Sequence, residues 1–210
     1  MQVGLVTLYR GYNYGTSLQA YALKQFISSL GYKTKIIWLE EGANKGRDIR
    51  LGKIGKMLWR CFLHPQLLKH TFLSYKNSFS KTLSPAIKTK FLEFADTMLQ
   101  IKGLSAEQLK IFAQDKNTLA VVCGSDQIWS AIAANIEPLY FLRFAPKQKR
   151  VAYAPSLGSK NVPSYNKKIL AKYISEIPFV SVREESGAHI VKELTDKDVT
   201  VLVDPTLLLD

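Results

Sequence analysis

The chain has 210 residues, 47% hydrophobic and 22% charged, with 29 Lys and Arg against 17 Asp and Glu for a formal net charge of +12. That length supports one sizeable core, and the composition is that of an ordinary globular chain, which excludes a disordered or low-complexity protein. Two cysteines and three scattered histidines exclude a disulfide framework and offer no metal-ligand spacing, and no apolar run approaches the roughly 18 residues of a membrane span.

The start, MQVGLVTLYRGYNYG, passes from an apolar strand into a polar loop. It lacks the basic-then-apolar layout of a secretory signal, which points to the cytoplasm. Gln2 to Leu8 reads as a buried strand, and Thr16 as the cap of a helix whose apolar residues Leu18, Tyr21, Ala22, Phe26 and Leu30 recur at helical spacing until Gly31. Lys33 to Leu39 is a second strand, completing a βαβ opening. From Glu40 to about Gln114 the pattern is helical and basic without obvious strands. Alternation resumes with strands at TLAVVC (Thr118 to Cys123), Arg150 to Ala154, Phe179 to Val182 and Val199 to Val203, and helices at Tyr165 to Glu176 and Glu184 to Leu194. The series predicts an α/β fold with a doubly wound, mostly parallel sheet.

Most of the excess charge is local. Between Asn44 and Lys90 eleven basic residues stand against one acid, Asp48. On a helix from Ile49 to Phe62, Leu51, Ile54, Met57, Leu58, Cys61 and Phe62 share a face beside the arc of Arg50, Lys53, Lys56 and Arg60. This is either a surface that docks on a membrane or an anionic polymer, or a helix that packs its apolar face on the domain and solvates its charges. No nucleic-acid motif accompanies the charge, so no nucleic-acid partner is expected.

Five polar or glycine-containing segments stand where predicted strands end: GYNYG from Gly11, GSDQIW from Gly124, APSLG from Ala154, VREESG from Val182 and DPTLLL from Asp204. Open α/β sheets bind ligands at that edge of their strands. GYNYG offers Asn13, Tyr14 and Gly15 either for ligand contact or as cap and packing residues, and it lacks the glycine spacing of a dinucleotide loop. GSDQIW presents Ser125, Asp126 and Gln127 for hydrogen bonds and Trp129 for stacking, a mixture suited to a sugar ring; alternatively Asp126 caps a following helix and Trp129 belongs to the core. Ser156 offers a hydroxyl beside Gly158. Arg183 stands at a helix start where it could hold a phosphate or carboxylate; alternatively Glu184 and Glu185 are favourable first-turn acids that pair with it.

In order, GYNYG with the helix SLQAYAL, then GSDQIW, YFLRF, VAYAPSLG, SVREESG and DPTLLL resemble the polysaccharide pyruvyl transferase family. The resemblance implies one Rossmann-like half of a glycosyltransferase B type fold: residues 1–203 as an N-terminal, acceptor-side domain carrying a basic helical insertion at about 44–90, and 204–210 as the start of a linker to a second, donor-binding half. It implies transfer of pyruvyl from phosphoenolpyruvate, as substrate and without a cofactor or metal, onto two hydroxyls of a glycan or lipid-linked oligosaccharide during bacterial surface polysaccharide synthesis. The reaction would run in the cytoplasm or at the inner membrane face, and the 210 residues alone would be inactive. Under this resemblance Asp126 is the acceptor-orienting carboxylate or base, Arg183 faces the donor anion, and Asn13, Tyr14, Gly15, Ser125, Gln127, Trp129, Ser156, Gly158 and Glu184 line the substrate. The rival expectation is a non-catalytic glycan-binding or assembly module.

Overall fold

The structure, a computed structural model, describes residues 1–9, 12–40, 59, 62, 65 and 83–209. Seven parallel strands form one sheet in the order β3-β2-β1-β4-β5-β6-β7. They are β1 Gln2–Val6, β2 Lys33–Leu39, β3 Lys102–Leu104, β4 Thr118–Cys123, β5 Arg150–Ala152, β6 Phe179–Val182 and β7 Thr200–Val201. The helices are α1 Tyr14–Ser29, α2 Pro85–Phe94, α3 Ala106–Gln114, α4 Ser164–Ser175 and α5 Glu185–Thr195. Strand order reverses direction between β1 and β4, the doubly wound Rossmann-like arrangement expected from the sequence.

Alternation along the strands sorts the core into two layers. Val3, Leu5, Ile36 and Val122 face α1, packing on Ala20, Leu23 and Ile27. Val6, Ile37, Val121 and Cys123 belong to the opposite layer, which includes Leu109 of α3, Leu170 of α4 and Ile190 of α5. Strand neighbours that point to opposite faces, both buried, are what helices on both sides of a parallel sheet require. Gly4 is a fitted position: a Cβ there would lie 2.6 Å from the Phe112 ring that covers it. Burial pushes the Cys123 thiol well above its ordinary value, consistent with a packing role.

Several boundaries differ from the sequence reading. Asn13, not Thr16, caps α1: its Oδ1 accepts from the Thr16 amide at 3.3 Å. The region expected to lack strands contains β3, a three-residue edge strand between a left-handed turn at Gln100 and the capping box of Ser105 and Gln108. Three residues are too few for alternation to register. No helix follows β4; turns and short 3-10 segments, Pro138–Phe141 and Lys147–Lys149, fill the connection to β5. Apart from Trp59 and Phe62, the predicted helix from Ile49 to Phe62 lies outside the described residues, as does most of the basic stretch. Among the described residues no helix is long and apolar enough to cross a membrane.

The edge where strands begin is locked by charge. Arg150, only 5% exposed, donates through Nε and Nη2 to the Ala145 carbonyl at 2.9 and 2.7 Å, and through Nη1 to Glu176 at the end of α4 at 3.3 Å. Glu176 also pairs with Arg143, whose guanidinium lies 4.9 Å from the Tyr173 ring centre. Replacing Glu176 by Gln leaves a buried guanidinium without its counter-charge. Chemical denaturation is expected to show a loss of about 3 kcal/mol, the lower end of the range for a broken buried pair; an unchanged midpoint would contradict this account of the lock.

Candidate functional site

Because every strand is parallel, the segments after β1, β4, β5, β6 and β7 emerge at one edge of the sheet. Asn13, Asp126, Ser156 and Arg183 all stand there, each just beyond a strand. Backbone bonds join the turns after β4 and β5 directly: the Ser156 amide donates to the Asp126 carbonyl at 2.8 Å, and the Ala131 amide to that of Leu157 at 2.9 Å.

Two polar groups, one buried and one half-buried, organise this edge. Gln19, in the first turns of α1 and 2% exposed, donates from Nε2 toward Thr7 Oγ1, the Leu8 carbonyl and the Thr16 carbonyl at 2.9 to 3.0 Å. Its Oε1 accepts from the Ser125 amide at 3.1 Å. One carboxamide thus fastens the start of α1 to the ends of β1 and β4. Asp204, beyond β7, accepts from Arg183 Nη1 at 2.9 Å and Ser125 Oγ at 3.3 Å on one oxygen, and from the amide and hydroxyl of Thr206 at 3.0 and 2.8 Å on the other. Burial alone would raise the Asp204 carboxyl, but the Thr206 donors and the Arg183 guanidinium outweigh it and hold its pKa below the ordinary 3.8. The turn Pro205–Leu208, read from sequence as the start of a linker, packs against α1.

Asp126 adopts a left-handed backbone, φ 53°, which Asp tolerates better than most residues. Its Oδ2 accepts from Thr16 Oγ1 at 2.8 Å and its Oδ1 from the adjoining Gln127 amide at 2.7 Å. Partly exposed, with one bond on each oxygen, the carboxylate retains acceptor capacity toward solvent. Since no helix follows, it caps none. Gly124 precedes it at φ 128°, and a Cβ there would collide with the Tyr153 carbonyl at 1.9 Å, so the sharp exit from β4 requires glycine.

Several sequence expectations are redirected. Trp129 is fully buried, stacks on Phe141 with ring centres 5.2 Å apart and donates Nε1–H to the Tyr140 carbonyl at 3.0 Å. It is a core residue and offers no face to a sugar. Ser125 is likewise buried and its groups are bound to Gln19, the Ala154 carbonyl and Asp204. Ser156 donates to Glu184 Oε1 at 2.7 Å, and the same oxygen accepts from the Leu157 amide at 3.1 Å, so Glu184 braces the turn after β5. Arg183 stands between Asp204 and Glu184, whose Oε2 lies 4.0 Å from its Nε, so its charge is matched within the chain. That placement makes it a brace, where an open anion grip was expected. Gln127 is exposed and lies over Gly158, where a Cβ would meet its Nε2 at 1.7 Å. Asn13 and Gly15 form the exposed cap of α1, and Tyr14 is 71% exposed, its ring 4.9 Å from Phe91; Gly11 lies outside the described residues.

Sequence reasoning did not single out Thr16 as a partner of Asp126, nor Gln19 and Asp204. A glutamine inside a helix and an aspartate before proline carry no periodic signal of such a role. Among the described residues no three His, Cys, Asp or Glu side chains are grouped to hold a metal ion.

The depressed Asp204 pKa fixes a sign. Its bonds stabilise the fold fully above the unfolded-state carboxyl value, and that stabilisation is lost as pH falls through the lower folded value. Asp204→Asn is therefore expected to cost about 1–3 kcal/mol near neutral pH, with the gap to the unaltered protein closing in acid below about pH 4. Denaturation midpoints measured across pH check this; a gap that is independent of pH would contradict it.

Comparison with known proteins bears on the family resemblance. No curated protein and no solved structure matches the chain. The family model described as polysaccharide pyruvyl transferase matches residues 13–210, which takes in every strand-end segment described above except the first residues of GYNYG. The chain belongs to the polysaccharide pyruvyl transferase family.

Proposed function

We propose that this protein transfers the pyruvyl unit of phosphoenolpyruvate to two hydroxyls of a glycan or lipid-linked oligosaccharide, in bacterial surface polysaccharide synthesis on the cytoplasmic side of the membrane, and that the edge described here is its acceptor side. The observation that carries the assignment to the acceptor side is the charge of the ridge. Among the described residues that bond along the ridge, Asp126, Glu184 and Asp204 stand against Arg183, and Arg183 is matched by two of them. A surplus of carboxylates orients hydroxyl donors and repels a phosphate dianion. The donor phosphate then requires cations from elsewhere in the protein.

The chemistry assigns the parts. An acid protonates the methylene carbon of the enol, the first glycan hydroxyl adds to the central carbon, and the second displaces phosphate to close the ketal. One hydroxyl proton in net replaces the proton delivered to the methyl group, and the other leaves with phosphate. Asp126, held by Thr16 and still able to accept, is placed to orient or deprotonate an attacking hydroxyl. Thr16 acts as its positioning residue. The exposed Gln127 amide is an additional polar contact, with the Asn13 and Gly15 cap at the rim.

In the full-length protein, phosphate release from phosphoenolpyruvate in the presence of glycan acceptors is expected to fall about 100-fold for Asp126→Asn at an unchanged melting temperature, the usual contribution of a positioned acid-base group. Thr16→Ser is expected to retain turnover that Thr16→Val loses. Normal turnover in Asp126→Asn, or activity lost only in step with unfolding, would refute this role.

A further inference from the structure

Beside the polar ridge, on the β1–β2–β3 flank of the same edge, lies a cleft of about 720 Å³, within the roughly 300–1,000 Å³ typical of small-molecule sites. Its walls are aromatic. Tyr9 meets Trp38 edge to face with ring centres 5.2 Å apart, and Tyr12 meets Phe91 of α2 similarly at 5.9 Å. Two carboxylates, Glu40 at the end of β2 and Asp96 after α2, also line it, both exposed. Among the described residues neither carboxylate has a hydrogen-bond or ion-pair partner.

The cleft is linked to the turn that carries Asp126. Trp38 contacts the Tyr140 ring at 6.0 Å between centres, and Tyr140 in turn lines a smaller hollow together with Gln127, the residue after Asp126. Tyr140 thus connects the aromatic wall to the turn of the carboxylate assigned to the acceptor hydroxyl.

We propose that this cleft seats the acceptor ring itself, and that the ring is an uncharged pyranose. Aromatic faces match the apolar C–H face of a pyranose, and acceptor-only carboxylates match its hydroxyl rim. The same two carboxylates oppose a uronate or a sugar phosphate, so they select against anionic rings by like-charge repulsion. This rests on the reading of the chain as a glycan-modifying transferase, which the family match motivates.

Saturation-transfer NMR on the full-length protein without phosphoenolpyruvate tests it, using neutral methyl pyranosides and disaccharides beside the corresponding glucuronides and 6-phosphates. Neutral glycosides are expected to bind, and the anionic ones about tenfold more weakly or less. Trp38→Leu and Tyr12→Ala should each weaken neutral binding about tenfold. The double variant Glu40→Gln, Asp96→Asn, at exposed positions that leave the melting temperature unchanged, should weaken neutral binding by a similar factor and narrow the preference over glucuronides. No transfer to any glycoside, or binding and preference that the double variant leaves unchanged, overturns the proposal. Glycoside binding with these dependences in a protein that releases no phosphate from phosphoenolpyruvate upholds the cleft and defeats the pyruvyl-transfer reading instead.

Discussion

The carboxylate of Asp204 ties together chain segments that the sheet leaves unpaired. Where parallel strands end, their ladders of hydrogen bonds end too, and the turns beyond must satisfy their polar groups in some other way. Asp204 does this for the turn after β4 through Ser125, for the end of β6 through Arg183, and for its own turn through Thr206. Gln19 performs the matching task between β1, α1 and β4. Among the described residues no buried side-chain nitrogen or oxygen lacks a partner. The polar network at this edge is complete, and a fully satisfied network favours one arrangement of the turns.

Completion of the network also decides which groups are left over for substrate. Ser125, Ser156, Glu184 and Arg183 are employed in holding turns against one another. Asp126 is held by Thr16 on one side and its own turn on the other, yet remains partly exposed. A group fixed by its neighbours with capacity remaining is suited to orient a reactant, since little ordering remains to be done on binding. On the proposed reading the aromatic cleft beyond Tyr140 adds breadth, and its carboxylates would extend the same preference for hydroxyl-bearing, uncharged partners along the edge.

Much of the fold was legible in the sequence because long apolar runs such as TLAVVC, bounded by loop residues, admit few readings. The parallel order then placed the strand-end motifs together without further information. What escaped was short or depended on tertiary contact. β3 is three residues long, and Asn13 and Thr16 are equally good caps until the turn shows which amide is met. Trp129 illustrates a limit of motif reading: GSDQIW alone does not tell whether the indole faces a ligand or the core, and Phe141, which stacks on it, is 12 residues away in sequence. The aromatic cleft is assembled from the loop after β1, from β2, from α2 and from β3, and no one segment carries its pattern.

The central claim is that Asp126 meets an acceptor hydroxyl at this edge. A crystal structure of the full-length protein soaked with a neutral acceptor glycoside tests it most directly. The account predicts a ring hydroxyl within about 2.6–3.2 Å of an Asp126 carboxylate oxygen, with the ring lying toward Tyr140 and Trp38. A glycoside bound productively elsewhere, with Asp126 holding only Thr16 and the Gln127 amide, would contradict it.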